Sequence, residues 1–196
     1  MDIRFRKLTP ELAEEFINYF DNEAFSDHED WKGCYCLESH LPREENEKDI
    51  SDGKIMHIEE RRQKARELIA QGVMTGYLVY DGENIAAWCN SGDKTSYFPI
   101  CSAEELFGTD RLEKGRIKVI YCINVAPDYR GKGLANIIME KVLEDAKKEG
   151  YSYVEGYPFS DRNMEYQYKG PVRLYEKYGF ERYADKDWFY IMRKAL

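Results

Sequence analysis

Apolar positions recur at helical spacing at Leu12, Phe16, Tyr19 and Phe20, so one face of a helix is built for burial there. Thr9-Pro10-Glu11 precedes it with a hydroxyl for the cap, a proline at the first position and an acid in the first turn. Residues 3–9 alternate in character and read as a strand. A second helix is predicted over 55–71, stopping at Gly72, with an arginine-rich middle that blurs its apolar face. Short apolar runs at 77–80 and 84–89, joined by Asp81-Gly82-Glu83, read as a hairpin. Residues 91–114 are mixed, with a short helix near 103–107.

Residues 116–125 are β-branched and mostly apolar, which predicts a strand at the centre of the sheet. Leu134, Ile137, Ile138, Val142 and Ala146 then form one stripe of a helix over 131–148, ended by Gly150. A strand over 151–157, a short helix over 171–178 with Gly179 as its stop, and strands over 180–183 and 188–192 complete the order. This order predicts a mixed α/β (α+β) fold with one parallel β-α-β crossover. No repeat, low-complexity block or linker interrupts it, so 1–196 reads as a single domain.

Composition narrows the partners. The chain has 29 Lys and Arg against 37 Asp and Glu, a net charge of −8, which argues against nucleic acid as a partner. No apolar run approaches the roughly 18 residues of a membrane span, and the start has no stretch fit for a secretory signal. Five cysteines are odd in number and too sparse for a disulfide framework, so a cytoplasmic location is expected.

The stretch that carries chemistry is Val125-Ala126-Pro127-Asp128-Tyr129-Arg130-Gly131-Lys132-Gly133-Leu134-Ala135. A central strand ends, a turn follows, and a helix starts among glycines. Amides at a helix start have no intrahelical acceptor, and the helix dipole makes that end positive. Glycine lets an anion approach the backbone, and Arg130 and Lys132 add charge, so the stretch reads as a receptor for a diphosphate. Neither G-x-x-x-x-G-K-[ST] nor G-x-G-x-x-G is present. A tight turn with no ligand is the plainer alternative.

Arg130-x-x-Gly133-x-Ala135 after Val125-Ala126-Pro127 resembles the pyrophosphate motif of the GNAT superfamily of acetyl-CoA-dependent N-acetyltransferases. Leu174-Tyr175-Glu176-Lys177-Tyr178-Gly179-Phe180 is similar to that family's second signature. The likeness covers about residues 115–182. It implies a mostly antiparallel twisted sheet whose strands at about 116–125 and 151–157 splay apart, with the pantetheine arm of acetyl-CoA between them. It further implies pantetheine contacts from the backbone of Ile123 and Val125. Pyrophosphate contacts would come from the amides of Arg130, Gly131, Lys132, Gly133, Leu134 and Ala135.

Tyr175 matches the family's tyrosine acid, which would protonate the departing thiolate; packing against the sheet is the alternative reading. A phenol pKa near ~10 against ~8.5 for a thiol makes full transfer uphill by about 2 kcal/mol. Either the site lowers that pKa, or Tyr175 mainly donates a hydrogen bond. The chain departs from the family at Tyr168, where asparagine is frequent, and at Pro171, where alanine is. No general base is evident on the long strand, where Cys122 and Asn124 occupy the non-core alternation. Glu155 on the next strand is the candidate, set against an exposed strand carboxylate.

Residues 26–53 carry −6 of the net charge, and 26–54 reads as an acidic, aromatic insertion near the acceptor side. Its charge suits a cationic amine, or merely keeps a surface loop solvated. Trp31, Tyr35, Tyr97, Phe98, Phe159, Tyr166 and Tyr168 lie in loop regions, as pocket walls or as packing. Cys34-Tyr35-Cys36 with His28 and His40 lacks the usual zinc spacing, so buried thiols are expected and no metal. The Cys34-Tyr35-Cys36 and Trp88-Cys89 stretches also resemble a bacterial subgroup of the same family. Three readings compete: an acyltransferase with a CoA ester and an amine as partners, a non-catalytic acyl-CoA sensor, and a metal-binding regulator built on the C-x-C segment. A homodimer stays open.

Overall fold

The computed structural model describes residues 1–42, 44, 45, 48, 57–97, 116–161, 163 and 167–196. The helix expected near 103–107, the start of that expected at 55, Phe98 and Tyr166 lie outside them. The first strand is β1 (Ile3–Lys7). A 3-10 turn at Pro10–Leu12, helix α1 (Ala13–Asn18) and a π-turn at Tyr19–Glu23 follow without a break. Thr9 makes no side-chain cap bond, so proline and not the hydroxyl marks this start. Then come α2 (Ile58–Ala70), β2 (Gly76–Asp81) and β3 (Asn84–Asp93). Next are β4 (Ile117–Val125), α3 (Leu134–Lys148) and β5 (Tyr153–Gly156). The chain closes with α4 (Val172–Lys177), β6 (Glu181–Asp185) and β7 (Tyr190–Ala195). Strand β3 runs four residues beyond its expected end, and the last two strands lie slightly later than predicted.

The strands form one sheet in the order β1-β2-β3-β4-β5-β7-β6. Among the described strands only β4 and β5 pair in parallel, joined through α3. Cores lie on both faces. One gathers Phe16, Phe20, Tyr35, Leu68 and Trp88, and the other Ile138, Val142, Val154, Leu174 and Tyr175. A strand covered on both faces must be apolar at nearly every position, which is why 117–125 shows no clean alternation.

Strict alternation fails inside β4. Asn90 pairs with Cys122 but Ser91 pairs with Ile120, so Tyr121 is the extra residue of a bulge. Val119, Tyr121 and Cys122 therefore face one core while Ile120 and Ile123 face the other. This corrects the expectation for Cys122 and Asn124, which are buried on the face of α1 and not turned away from the core. Asn124 accepts a hydrogen bond from Tyr19 Oη at 2.6 Å.

The expectation of buried thiols in the N-terminal segment holds for Cys36, whereas Cys34 is only partly buried. Cys36 is buried, and its Sγ lies 3.1 Å from Asn90 Nδ2. Asn90 Nδ2 also reaches Ser39 Oγ (3.0 Å) and His40 Nε2 (3.1 Å), while its Oδ1 accepts from Tyr97 Oη (2.8 Å). Burial pushes His40 down to about 4, so it stays neutral in this cluster at neutral pH. Among the described residues no three of His, Cys, Asp and Glu converge as metal ligands would. No described helix is long and apolar enough to cross a membrane.

Candidate active site

Strand β5 pairs with β4 only over Ile117–Ile120. Beyond that point β4 continues to Val125 without it, so the two strands part in the manner the resemblance implies. At the far end of β4 the chain turns into α3. Arg130 N–H donates to Pro127 O (3.2 Å), and backbone pairing resumes at Asn136 N–H, which donates to Gly133 O (3.0 Å). The amides between, of residues 131–135, find no backbone acceptor among the described residues. Gly131 and Gly133 take φ of +73° and +84°, a region that L side chains rarely adopt. A Cβ on either would meet nothing within 4 Å, so the concave side of the turn is open. Five amides without backbone acceptors, at the positive end of a helix 15 residues long, suit two linked phosphates.

Arg130 differs from its neighbours. Its amide is bonded within the turn, and its guanidinium donates to Val125 O (3.0 Å) and pairs with Asp27 (2.5 Å). Burial raises the Asp27 carboxyl, but the hydrogen bond and charge of Arg130 outweigh it and hold it below the ordinary value. Arg130 thus ties the acidic segment to the start of α3 and does not join the open amides. Lys132 is exposed, with Nζ 5.4 Å from the Tyr129 ring.

Where the strands part, the turn at 167–170 crosses the gap. Gly170 N–H donates to Gln167 O (2.8 Å), closing the turn, and Tyr168 O accepts from Ile123 N–H at 2.6 Å. The Ile123 amide, expected to face pantetheine, is therefore held by the protein's own carbonyl. Tyr175 lies beside it, fully buried, its Oη donating to Lys169 O at 2.6 Å. Burial pushes the Tyr175 phenol up, not down. Of the two expectations for Tyr175, this direction favours the hydrogen-bond donor over a lowered pKa. Its ring rests on Gly156: a Cβ there would lie 2.1 Å from Tyr175 Cε1. Sequence reading missed Gly156, and its only signal was a glycine inside a strand pattern.

Glu155 is not an exposed strand carboxylate. It is fully buried and accepts from Lys94 Nζ (2.7 Å), Arg193 Nε (2.7 Å) and Tyr157 Oη (2.9 Å). Three donors converge on it and anchor β5 to β7 and to the end of β3. Replacing Glu155 by Ala removes the acceptor shared by buried Lys94 and half-buried Arg193 and is expected to cost about 3 kcal/mol of stability. Urea midpoints of the purified variant check this. A stable variant that has merely lost turnover would make Glu155 a base instead.

Of the proposed pocket aromatics, Tyr35 and Tyr97 belong to the core, and Trp31 stacks on His28 at 4.0 Å. Phe159 and Tyr168 do meet, edge to face at 5.3 Å, beside the parted strands. The hydrogen bond with Cys36 and burial push the Cys122 thiol well up, which disfavours its thiolate form.

The family profile of the acetyltransferase (GNAT) domain matches residues 77–182, from β2 through the start of β6. The chain belongs to the GNAT acetyltransferase family. An uncharacterized N-acetyltransferase of Methanocaldococcus jannaschii is 28% identical over 107 residues, 54% of this chain and 43% of that protein. The GNAT chain here thus spans less than half the length of the curated relative it matches. Among solved structures, the PaiA N-acetyltransferase of Thermoplasma acidophilum, determined in complex with coenzyme A, aligns with a TM-score of 0.53 at 16% identity, covering 100% of both chains. The polyamine N-acetyltransferase of Drosophila melanogaster, an enzyme that forms N-acetylagmatine, aligns with a TM-score of 0.57 at 14% identity, again over 100% of both chains. At such identities these two structures bear on the fold alone, and the match of fold extends over the whole GNAT chain.

Proposed function

We propose that the protein is an acyltransferase that moves an acetyl group from acetyl-CoA to a primary amine by direct attack. The observation that carries this reading is the row of open amides over 131–135 at the start of α3. Membership of the GNAT family and the coenzyme bound to the Thermoplasma relative support the same donor. When bound, the coenzyme supplies an acyl thioester activated toward nucleophiles.

The chain's own groups then have defined tasks. Amides of 131–135 hold the diphosphate. The Ile123 amide, released from Tyr168 O, is a fixed donor for a carbonyl carrying developing negative charge. The neutral amine nitrogen forms the new C–N bond, the C–S bond breaks, and Tyr175 Oη donates its hydrogen bond to the departing sulfur. The proton lost by the amine leaves through solvent, since Glu155 is committed to Lys94 and Arg193. A net charge of −8 favours a cationic acceptor over an anionic one. The polyamine activity of the Drosophila relative supports that class.

The Tyr168–Ile123 bond gives some weight to a second reading, a non-catalytic acyl-CoA sensor. Thiol release from acetyl-CoA with a panel of alkylamines, polyamines and peptide amines separates the two. The transferase reading expects amine-dependent release of free CoA. Tight CoA binding with no release above the hydrolysis background for any amine would favour the sensor.

A further inference from the structure

Lys169 is 2% exposed, rare for a residue that normally keeps its ammonium in water. Its Nζ lies 3.6 Å from the centroid of Tyr121, 5.3 Å from Tyr168, 5.8 Å from Phe159 and 6.0 Å from Trp188. Four ring faces or edges within about 6 Å make a site where a cation is attracted from several sides. The walls come from separate parts of the fold. Tyr121 is the bulged residue of β4, Phe159 follows β5 and bridges to Phe189, and Trp188 precedes β7. Three of the four walls thus come from elements distant in sequence, and Tyr168 is the neighbour of Lys169 on its own turn. Trp188 is also 42% exposed, so this wall stands at the protein surface.

The turn that delivers Lys169 touches three functional positions together. Tyr168 O occupies the Ile123 amide, Lys169 O occupies Tyr175 Oη, and the Lys169 ammonium occupies the ring cluster. The turn therefore presents a carbonyl to the amide donor, a second carbonyl to the acid, and an alkylammonium beside them. We propose that the Tyr121–Phe159–Tyr168–Trp188 cage is a binding site for the ammonium group of an alkylamine acceptor, and that Lys169 is its built-in occupant, displaced when the amine binds. The acetyltransfer reading supplies the purpose of the bound amine; the existence of the cage does not depend on it. A tethered occupant competes at high effective concentration, so the wild-type protein binds a free amine weakly.

The test uses n-butylammonium, the counterpart of a lysine side chain, titrated calorimetrically into the full chain without coenzyme. Lys169→Met, which keeps length and removes charge, is expected to bind it about tenfold or more tightly than wild type. Tyr121→Leu added to that variant is expected to abolish the gain, and neutral n-butanol is expected to show none. An unchanged affinity in a folded Lys169→Met protein, or equal binding of n-butanol, overturns the proposal.

A second measurement needs no variant. Tetramethylammonium added to the wild-type protein is expected to raise the rate at which an acetylating reagent labels Lys169, read by peptide mass spectrometry, with other lysines unaffected. A Lys169 rate that does not respond overturns the proposal even if the variants fail to fold. CoA titrated in parallel keeps the two readings apart. Amine binding gained without any acetyl transfer removes the transferase and keeps the cage, whereas amine-dependent transfer without gained binding removes the cage alone.

Discussion

Gly133→Glu loses coenzyme binding, with the Kd for CoA rising about 100-fold or more. Gly133 sits at φ +84° as the cap of α3, with nothing within 4 Å of where a Cβ would stand. A glutamate there does two things. It strains the backbone by about 1–2 kcal/mol, because the left-handed region suits glycine. It also places a carboxylate where five open amides and the helix dipole favour an anion, competing for the amides and repelling the diphosphate. Loss of two charge-assisted hydrogen bonds, at about 1.5–3 kcal/mol each, already exceeds the 2.7 kcal/mol that corresponds to 100-fold. Gly133→Ala separates the two effects: it fits sterically, carries only the strain, and is expected to weaken CoA by a few-fold. Calorimetry of both variants checks the ordering, and a glutamate variant that binds CoA as well as the alanine one would mean the diphosphate sits elsewhere.

The second large effect belongs to Tyr175. Tyr175→Phe is expected to lower kcat about 10-fold to 100-fold while the Kd for CoA stays within about twofold. The structure sharpens the reason. Burial holds the phenol protonated far above neutral pH, so this residue offers a hydrogen bond to a developing thiolate and not a freely mobile proton. Its hydrogen atom already points at a carbonyl oxygen, Lys169 O, at 2.6 Å. Removing it costs roughly 1 kcal/mol of stability for the lost bond, a separable and smaller effect. Gly156→Ala makes a companion test, since its Cβ would overlap the Tyr175 ring and force it from this position. Both variants share the low-kcat phenotype if the phenol's placement matters. Wild-type turnover in Tyr175→Phe would reduce this tyrosine to packing.

Much of this architecture can be read from residue patterns. The stripe of α3, the apolar run of β4 and the Asp81-Gly82 hairpin are strong local signals, and each became the element it predicted. The glycines at 131 and 133 are also legible, because positive φ at a helix start is a need that few other residues meet. Three features were not legible, each because it depends on contacts distant in sequence. The bulge at Tyr121 breaks the two-residue period, so Cys122 and Asn124 fell on the wrong face of β4. Glu155 read as a candidate base or an exposed carboxylate, because its partners, Lys94 and Arg193, lie 61 and 38 residues away. The Ile123 amide looked available because nothing in the sequence announces that Tyr168 O returns to it. Gly156 and Lys169 were passed over for the same reason: their meaning lies in the rings packed around them.

The claim on which the rest depends is that the amides of 131–135 bind the coenzyme's diphosphate. Amide chemical shifts of the 15N-labelled protein titrated with CoA test it directly. The account predicts saturable shifts that are largest at Gly131, Lys132, Gly133, Leu134 and Ala135, with Ile123 changing as Tyr168 O is displaced. Saturable binding that leaves those five amides unmoved, or no saturable binding at all, would contradict it.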